Sequence, residues 1–445
     1  MNNPLIDNPQ STIFALATAS GRGAVAIMRI SGPLTKSILV SLCHKLPEPR
    51  QACVRKLRLK RLDSFEVLDH AMVLWLPGPN SYTGEDSAEF HLHAGPAVID
   101  GVASALAYLG AKPAEAGEFT KRAFLNGRVD LLQAEGVADL VEAETQAQKK
   151  QALEQTEGGL SRIYEQWGQR LREILSYQEA LIDFPDEELP EEMEVNLKKS
   201  IDALQQEMAE HLNDNNRGEK LRRGLIFVIL GAPNAGKSTL LNVLSNKEAA
   251  IVTDQAGTTR DAIEVRLILG DAPVTLVDTA GLRETEDKIE KEGIRRAKKI
   301  ARDADFIMCL TDASVAVEKP EFPCDLWIRT KNDLNVSHET ISANAQNQLY
   351  ISTKTGENIK NLRDLLSSKV KELTACQGPP PLTRVRHRLG LLHCVEHLKR
   401  ALVQEWPELR GEELRLAMQE LGKITGKIAV EDLLDTIFSQ FCIGK

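Results

Sequence analysis

The 445 residues are 42% hydrophobic and 27% charged, an ordinary globular mixture, and at roughly 100 to 200 residues per domain the length implies two to four domains. A formal charge of -9 and an aromatic share of 4% argue against a chain that holds nucleic acid unaided or stacks bases on aromatic platforms, so any RNA contact is expected to be local or shared. Seven scattered cysteines without a Cys-x-x-Cys pair, no basic or apolar leader in residues 1–10, and no apolar run near ~18 residues point to reduced thiols, a cytosolic home and no membrane span.

The segment 1–126 mixes short apolar runs with turn residues. Ala24 to Ile30 reads as a strand, and Ala71 to Leu76 as another that stops at Pro77-Gly78-Pro79. His91 and His93, two apart, would share one side of a strand, but no third ligand follows at metal spacing, and packing or loop roles are expected. Over 127–217 the spacing turns helical, with Val137, Leu140 and Val141 on one face of a run from Leu131 to Leu181. The acidic stretch from Asp183 through Pro185 and Pro190 to Glu192 is expected to be a solvated loop.

From 218 to 375 strands alternate with helices, the pattern of a parallel sheet covered on both faces; the candidate strands are 225–230, 263–269, 274–277, 306–310, 326–328 and 349–351. Helical spacing returns over 376–445 after Gly378-Pro379-Pro380-Pro381, with Leu391, Val395, Leu398 and Leu402 on one face. The last helix carries an apolar stripe of Val430, Leu433, Leu434, Ile437, Phe438 and Phe441 that needs a partner, and the earlier helices are the simplest one. The fold class that follows is α/β with an all-α part, the α/β domain being inserted into a helical domain built from both of its flanks.

Gly231-Ala232-Pro233-Asn234-Ala235-Gly236-Lys237-Ser238 fits G-x-x-x-x-G-K-[ST], with a strand before it and an apolar helix start after it. Its glycines let backbone N–H groups and the helix N-terminus face phosphate, Lys237 reaches the β and γ phosphates, and Ser238 offers a hydroxyl to Mg²⁺. Nucleotide contacts are expected from Asn234, Ala235, Gly236, Lys237, Ser238 and Thr239. Asp278-Thr279-Ala280-Gly281 closes a strand where a carboxylate can hold Mg²⁺ through water and a glycine N–H can sense the γ-phosphate. Between these elements lies Gly257-Thr258-Thr259-Arg260-Asp261, and Thr259 is the second expected Mg²⁺ ligand. Guanine selection is assigned to Thr330-Lys331-Asn332-Asp333, since a carboxylate at Asp333 accepts two hydrogen bonds that adenine cannot supply; Thr330 stands where Asn is usual. Ser352, Thr353 and Lys354 are expected to brace the base from the other side.

Many GTPases orient the attacking water with a Gln just after the Gly of the second switch, but here that residue is Leu282. Asn234, with the Thr-rich loop Thr253 to Thr259, suggests a monovalent cation where an arginine would otherwise neutralise charge.

These motifs, with Gly21-Arg22-Gly23, Arg29-Ile30-Ser31-Gly32, Ser81-Tyr82-Thr83-Gly84-Glu85-Asp86, Gly117-Glu118-Phe119-Thr120, Arg122-Ala123-Phe124-Leu125-Asn126, Gly281-Leu282-Arg283-Glu284 and the closing Phe441-Cys442-Ile443-Gly444-Lys445, resemble the MnmE (TrmE) family of tRNA modification GTPases over nearly the whole chain. The resemblance implies a K⁺-dependent GTPase whose G domains pair in a homodimer, with Asn234, Thr258 and the carbonyls of Thr253 and Gln255 around K⁺, and with Glu290 positioning water. It implies an N-terminal α+β domain that binds 5-formyltetrahydrofolate or a related tetrahydrofolate through Arg29, Glu89, Arg128 and Lys445, and a role for the Cys442 thiol in modification. It also implies a flavin-dependent partner subunit resembling MnmG, with FAD on that partner alone, and an aminomethyl-type group installed at C5 of the tRNA wobble uridine. Two rival readings share parts of this pattern: a regulatory GTPase of ribosome assembly, and a folate-dependent one-carbon transferase with a regulatory G domain.

Overall fold

The computed structural model describes residues 11–19, 21, 23–61, 64–183, 191–232, 234–245, 263–278, 302–313, 324–334, 348–375, 378–428 and 431–444. The chain divides into two compact units, one of Met1–Ala138, Gln155–Ile201 and Glu396–Lys445, the other of Asp139–Glu154 and Asp202–Val395.

In the first unit, strands β1 (Ile13–Leu16), β2 (Val25–Ser31), β3 (Cys53–Arg61), β4 (Ser64–Leu76), β5 (Ser87–His93) and β6 (Lys112–Pro113) form one sheet in the order β3-β4-β5-β2-β1-β6. All neighbours are antiparallel except β1 and β6. Period-two burial explains the pairing: Ala26, Met28 and Ile30 of β2 turn into the core while the residues between them stay half-buried. Helices α1 (Thr35–Cys43) and α2 (Pro96–Tyr108) supply Ile38, Leu39, Leu42, Val102 and Leu106, which cluster with Ile30, Leu57, Val73 and Phe90. The strand expected at 71–76 starts earlier, at Ser64, because its largely exposed first half pairs with β3 from Ser64↔Arg61 onward.

Helices α3 (Glu118–Leu125), α4 (Leu131–Glu142), α5 (Gln146–Thr156), α6 (Gly159–Asp183) and α7 (Glu191–Leu212) follow. Residues 184–190 of the expected acidic loop lie outside the described residues. Asp183 closes α6, while Glu191 and Glu192 open α7.

In the second unit, α8 (Arg217–Arg223) leads into β7 (Leu225–Gly231), α9 (Lys237–Ser245), β8 (Ile263–Leu269), β9 (Ala272–Asp278), β10 (Phe306–Asp312), β11 (Leu326–Thr330), β12 (Gln348–Tyr350) and α10 (Ile359–Thr374). The sheet order is β12-β11-β10-β7-β9-β8. Five strands run parallel, and the edge strand β8 runs antiparallel to β9. The two-residue link Gly270-Asp271, with φ of 55° and 70°, requires that direction, since so short a connection joins only antiparallel strands. Phe227, Ile229, Leu276, Met308 and Ile328 pack with Leu240, Leu241, Leu362 and Leu366 into one core. Register then brings the strand ends level: Gly231 lies opposite Leu310, Asp278 opposite Ile229, and Thr330 opposite Asp312. In an open α/β sheet the crevice beyond such carboxyl ends is where ligands bind.

Helices α11 (Val385–Val403), α12 (Pro407–Thr425) and α13 (Glu431–Phe438) complete the chain. Within the first unit α12 packs on α6: Gln178 Nε2 donates to Pro407 O at 2.9 Å, Arg415 pairs with Glu179 at 2.6 Å, and Gly168 makes room for Leu421. Helices from before and after the α/β segment thus pack on each other, as an insertion demands. The stripe on α13 finds the expected partner, because Leu434, Ile437, Phe438 and Phe441 cluster with Leu131 and Ala134 of α4, and Phe124 of α3 joins them. Val430, also assigned to that stripe, is outside the described residues.

Phe438 is 2% exposed, so Phe438→Ala is expected to cost about 3–5 kcal/mol. Urea denaturation followed by circular dichroism checks this as a lower midpoint for the affected transition, and an unchanged midpoint would count against the stripe as a packing element.

Candidate functional site

The phosphate loop joins β7 to α9. A side chain at Gly231 would run into the carbonyl oxygen of Leu310 on the neighbouring strand, so glycine is required where the loop leaves the sheet. Asn234 and Gly236 take left-handed backbone angles, φ of 62° and 91°, the kind of conformation that turns successive N–H groups toward an anion. Lys237 opens α9 with its side chain buried, and Nζ donates to Gly231 O at 2.8 Å and to Ala232 O at 2.9 Å. Ser238 Oγ donates to Asp278 Oδ2 at 2.8 Å, and Asp278 is fully buried at the end of β9. A hydroxyl and a carboxylate this close form a hard-oxygen pair beside the helix N-terminus, which suits a divalent cation with phosphate ligands. Ala235 is buried, and Thr239 is exposed on the first turn of α9.

The residues expected on the guanine side are carried by β11 and β12. Thr330, 2% exposed, donates from Oγ1 to Ala235 O at 2.7 Å, so the hydroxyl supplies a tie between this strand and the phosphate loop. Lys331 has φ of 59° and pairs with Asp312 at the end of β10, 2.8 Å away. Asp333 sits in a short 3₁₀ turn, Asn332–Leu334, and accepts a hydrogen bond on Oδ1 from buried Ser352 Oγ at 2.7 Å. The Ser352 oxygen in turn accepts from the Thr355 N–H at 3.2 Å, which fixes its proton on the carboxylate. Thr353 is half-buried and Lys354 exposed in the turn that follows. Asp312 and buried Arg329, which donates to Thr311 Oγ1 at 3.0 Å, were not anticipated; only the position of Asp312 after an apolar strand hinted at it. Thr253, Gln255, Thr258, Thr259, Thr279, Ala280, Gly281 and Glu290 lie outside the described residues.

A second cluster occupies the first unit. Arg29 and Glu89 face each other across β2 and β5, with Nη2 3.0 Å from Oε1. Arg29 Nη1 also donates to Gly444 O at 3.3 Å, and the guanidinium lies over the Phe119 ring, 5.8 Å from its centroid. Ile443 bridges Ala116, and the Gly117 N–H lies 3.5 Å from Cys442 O, so the tail around Cys442 is held while its thiol is exposed. Lys445 is outside the described residues. The structure does not draw Arg128 into the same pair of contacts: its aliphatic stem packs over Gly84 instead. Beside this, Ser31 Oγ donates to Glu85 at 2.7 Å, and buried Arg122 binds Glu85 at 3.1 Å and Glu118 at 2.8 Å. Burial raises the Tyr82 phenol above its ordinary pKa, against the lowering effect of its bond to Thr120. His91 and His93 engage Glu89 and Asp69, and no metal-ligating cluster occurs among the described residues.

Comparison with known proteins gives the family. The profile described as GTP-binding protein TrmE N-terminus matches residues 12–128, and the MnmE helical domain profile matches residues 131–442. The chain belongs to the MnmE family of tRNA modification GTPases. It is 55% identical to the tRNA modification GTPase MnmE of Gluconacetobacter diazotrophicus over 98% of this chain and 99% of that one. The proteins of the same name from Granulibacter bethesdensis and Rhodospirillum rubrum are 50% and 48% identical, each over 98% of this chain and 100% and 99% of theirs. By membership the chain is a P-loop GTP hydrolase with a TrmE-type N-terminal part and a helical part that brackets the G domain. No helix of the described residues is long and apolar enough to cross a membrane.

Thr330→Val removes the bond to Ala235 O and leaves a buried acceptor unsatisfied, so GDP affinity is expected to fall about 5- to 20-fold. Thr330→Asn, whose amide can donate to the same oxygen, is expected to bind within about threefold of the parent. Titration with a fluorescent GDP derivative distinguishes these outcomes, and equal affinity of the Val variant would remove Thr330 from nucleotide binding.

Proposed function

We propose that this GTP hydrolase acts as a homodimer, in Mg²⁺ and K⁺, within the cytoplasmic complex that places a (carboxymethyl)aminomethyl group on C5 of the tRNA wobble uridine. An FAD-dependent subunit resembling MnmG is the proposed partner. The observation that carries the hydrolytic part is the 2.8 Å contact of Ser238 with Asp278 at the sheet's carboxyl edge. Family membership supports the tRNA part.

In this reading Lys237 leaves its loop carbonyls for the β and γ phosphates, and the N–H groups of Asn234 through Thr239 bind phosphate oxygens. Asp333, oriented by Ser352, accepts guanine's ring N–H and amino group. Lys331, Thr353 and Lys354 flank the base. Ser238 and Thr259 are the proposed Mg²⁺ ligands, with Asp278 behind them, and Thr279, Ala280 and Gly281 sense the γ-phosphate. Asn234, Thr253, Gln255 and Thr258 are the proposed K⁺ ligands; Mg²⁺ and K⁺ when bound supply positive charge against the phosphates. Glu290 orients the attacking water, a role that Leu282 cannot fill.

In the N-terminal part, Arg29, Glu89, Arg128 and Lys445 are proposed to hold a tetrahydrofolate, whose pterin and glutamate tail call for opposite charges. The adjacency of Arg29, Glu89 and Gly444 supports this. Bound folate supplies a one-carbon unit, and the exposed Cys442 thiol is proposed to take part near the reacting group.

Glu290→Ala is expected to lower kcat at least about 100-fold, with GTP affinity within about threefold of the parent. Exchange of K⁺ for Na⁺ is expected to slow turnover of the parent by at least about tenfold. Turnover assays with matched chloride salts test both, and full activity in Na⁺ would end the K⁺ assignment. Cells without this chain are expected to lack the C5 modification when their tRNA nucleosides are separated by mass spectrometry.

A further inference from the structure

The chain carries a formal charge of -9, yet residues 44–61 hold seven Lys and Arg and one acid, Glu48. Five of those cations, Arg55, Lys56, Arg58, Lys60 and Arg61, fall on β3, which is an edge of the N-terminal sheet. Lys56, Arg58 and Lys60 alternate along the strand, on the side opposite Leu57 and Leu59, which are buried in the core. They therefore recur about every 6.6 Å in one row, a spacing comparable to that of successive phosphates on a nucleic-acid strand. Among the described residues none of these three makes an ion pair, whereas Arg61 meets Glu66 at 3.2 Å and Arg50 is engaged by the carbonyls of Pro77 and Asn80.

The partner strand adds a second row. Register pairs Lys60 with Phe65, Arg58 with Val67 and Lys56 with His70. Phe65 is 54% exposed, and its ring meets the exposed His44 ring edge-on with centroids 5.3 Å apart, next to exposed Lys45. Lysines on an edge strand also discourage strand-to-strand aggregation, and that role alone would account for the charges. It does not account for an exposed aromatic pair set among them. Cations in a row beside rings that can stack bases are the two elements of a surface for single-stranded or looped RNA.

We propose that the β3–β4 hairpin binds the tRNA substrate, with Lys56, Arg58 and Lys60 on its phosphates and Phe65 against a base. This rests on the tRNA reading above. An anionic membrane is the other surface such a row would suit.

The test uses the full-length protein, an unmodified tRNA transcript and filter binding from about 50 to 200 mM KCl. Lys56→Glu/Arg58→Glu/Lys60→Glu is expected to weaken binding at least about tenfold and to flatten the slope of log K against log salt by about 2, at roughly 0.7–0.9 for each phosphate no longer neutralised. Phe65→Ala is expected to weaken binding about fivefold or more with an unchanged slope, since stacking carries no counterion release. GTP turnover without tRNA, and thermal unfolding, should match the parent in both variants. Parent-like tRNA binding by the triple variant would overturn the hairpin proposal and leave the tRNA reading standing. Failure of the parent protein itself to hold tRNA would also overturn the hairpin proposal, whereas the tRNA reading falls only if cells without this chain keep the C5 modification. Loss of binding to phosphatidylglycerol vesicles by the triple variant, with tRNA affinity intact, would reassign the row to lipid.

Discussion

One hydrogen bond, from the Thr330 hydroxyl to the carbonyl of Ala235, joins the two halves of the nucleotide site. The phosphate loop leaves β7 and the guanine loop leaves β11, with β10 between them. Parallel pairing sets the strand ends level, but it does not by itself fix how two loops beyond the sheet are oriented. A donor buried at 2% exposure and aimed at a loop carbonyl does so, because neither group can find water instead. The Ser352–Asp333 contact then orients one carboxylate, and the Ser238–Asp278 contact holds the other beside the phosphate loop. All three are hydroxyls donating to oxygen, and the two that end on Asp333 and Asp278 leave carboxylate lone pairs for a ligand.

The first unit solves a different electrostatic problem. Arg122, with its side chain 6% exposed, is buried between Glu85 and Glu118, and Ser31 donates a further bond to Glu85. A buried ion pair is weak evidence of stability, since desolvation offsets much of the Coulomb gain, but removing one member of a group like this leaves an uncompensated charge. The arrangement specifies how α3 and the turn 81–86 fit together. The residue strings that carried the family resemblance, scattered from Ser31 to Arg122, meet here in space.

Much of this was readable from residue order, for reasons that differ by element. The phosphate loop was legible because its chemistry is local: glycine, lysine and serine act at fixed offsets between a strand and a helix. The strands of the second unit fell within one or two residues of their observed bounds because burial on both faces gives continuous apolar runs, although the antiparallel β8 needed the Gly270-Asp271 turn to be recognised. β4 began earlier than expected, since Phe65 and Val67 of its first half stand exposed among Ser64, Glu66 and Asp69 and make no continuous apolar run. Asp312 could not be assigned a role, because its pairing with Lys331 depends on strand register. Thr330 broke the usual pattern at the level of residue type and kept it at the level of a donor in the right place. Arg128 was legible only as a charge, since the packing of its aliphatic stem beside Gly84 depends on the fold.

The contact between Arg29 and Gly444 spans 415 positions of the chain. Because β2 is made long before Gly444, its guanidinium can take up this acceptor only after the segment around α13 has folded back onto the sheet, so a chain cut short at α12 would show the sheet without this corner.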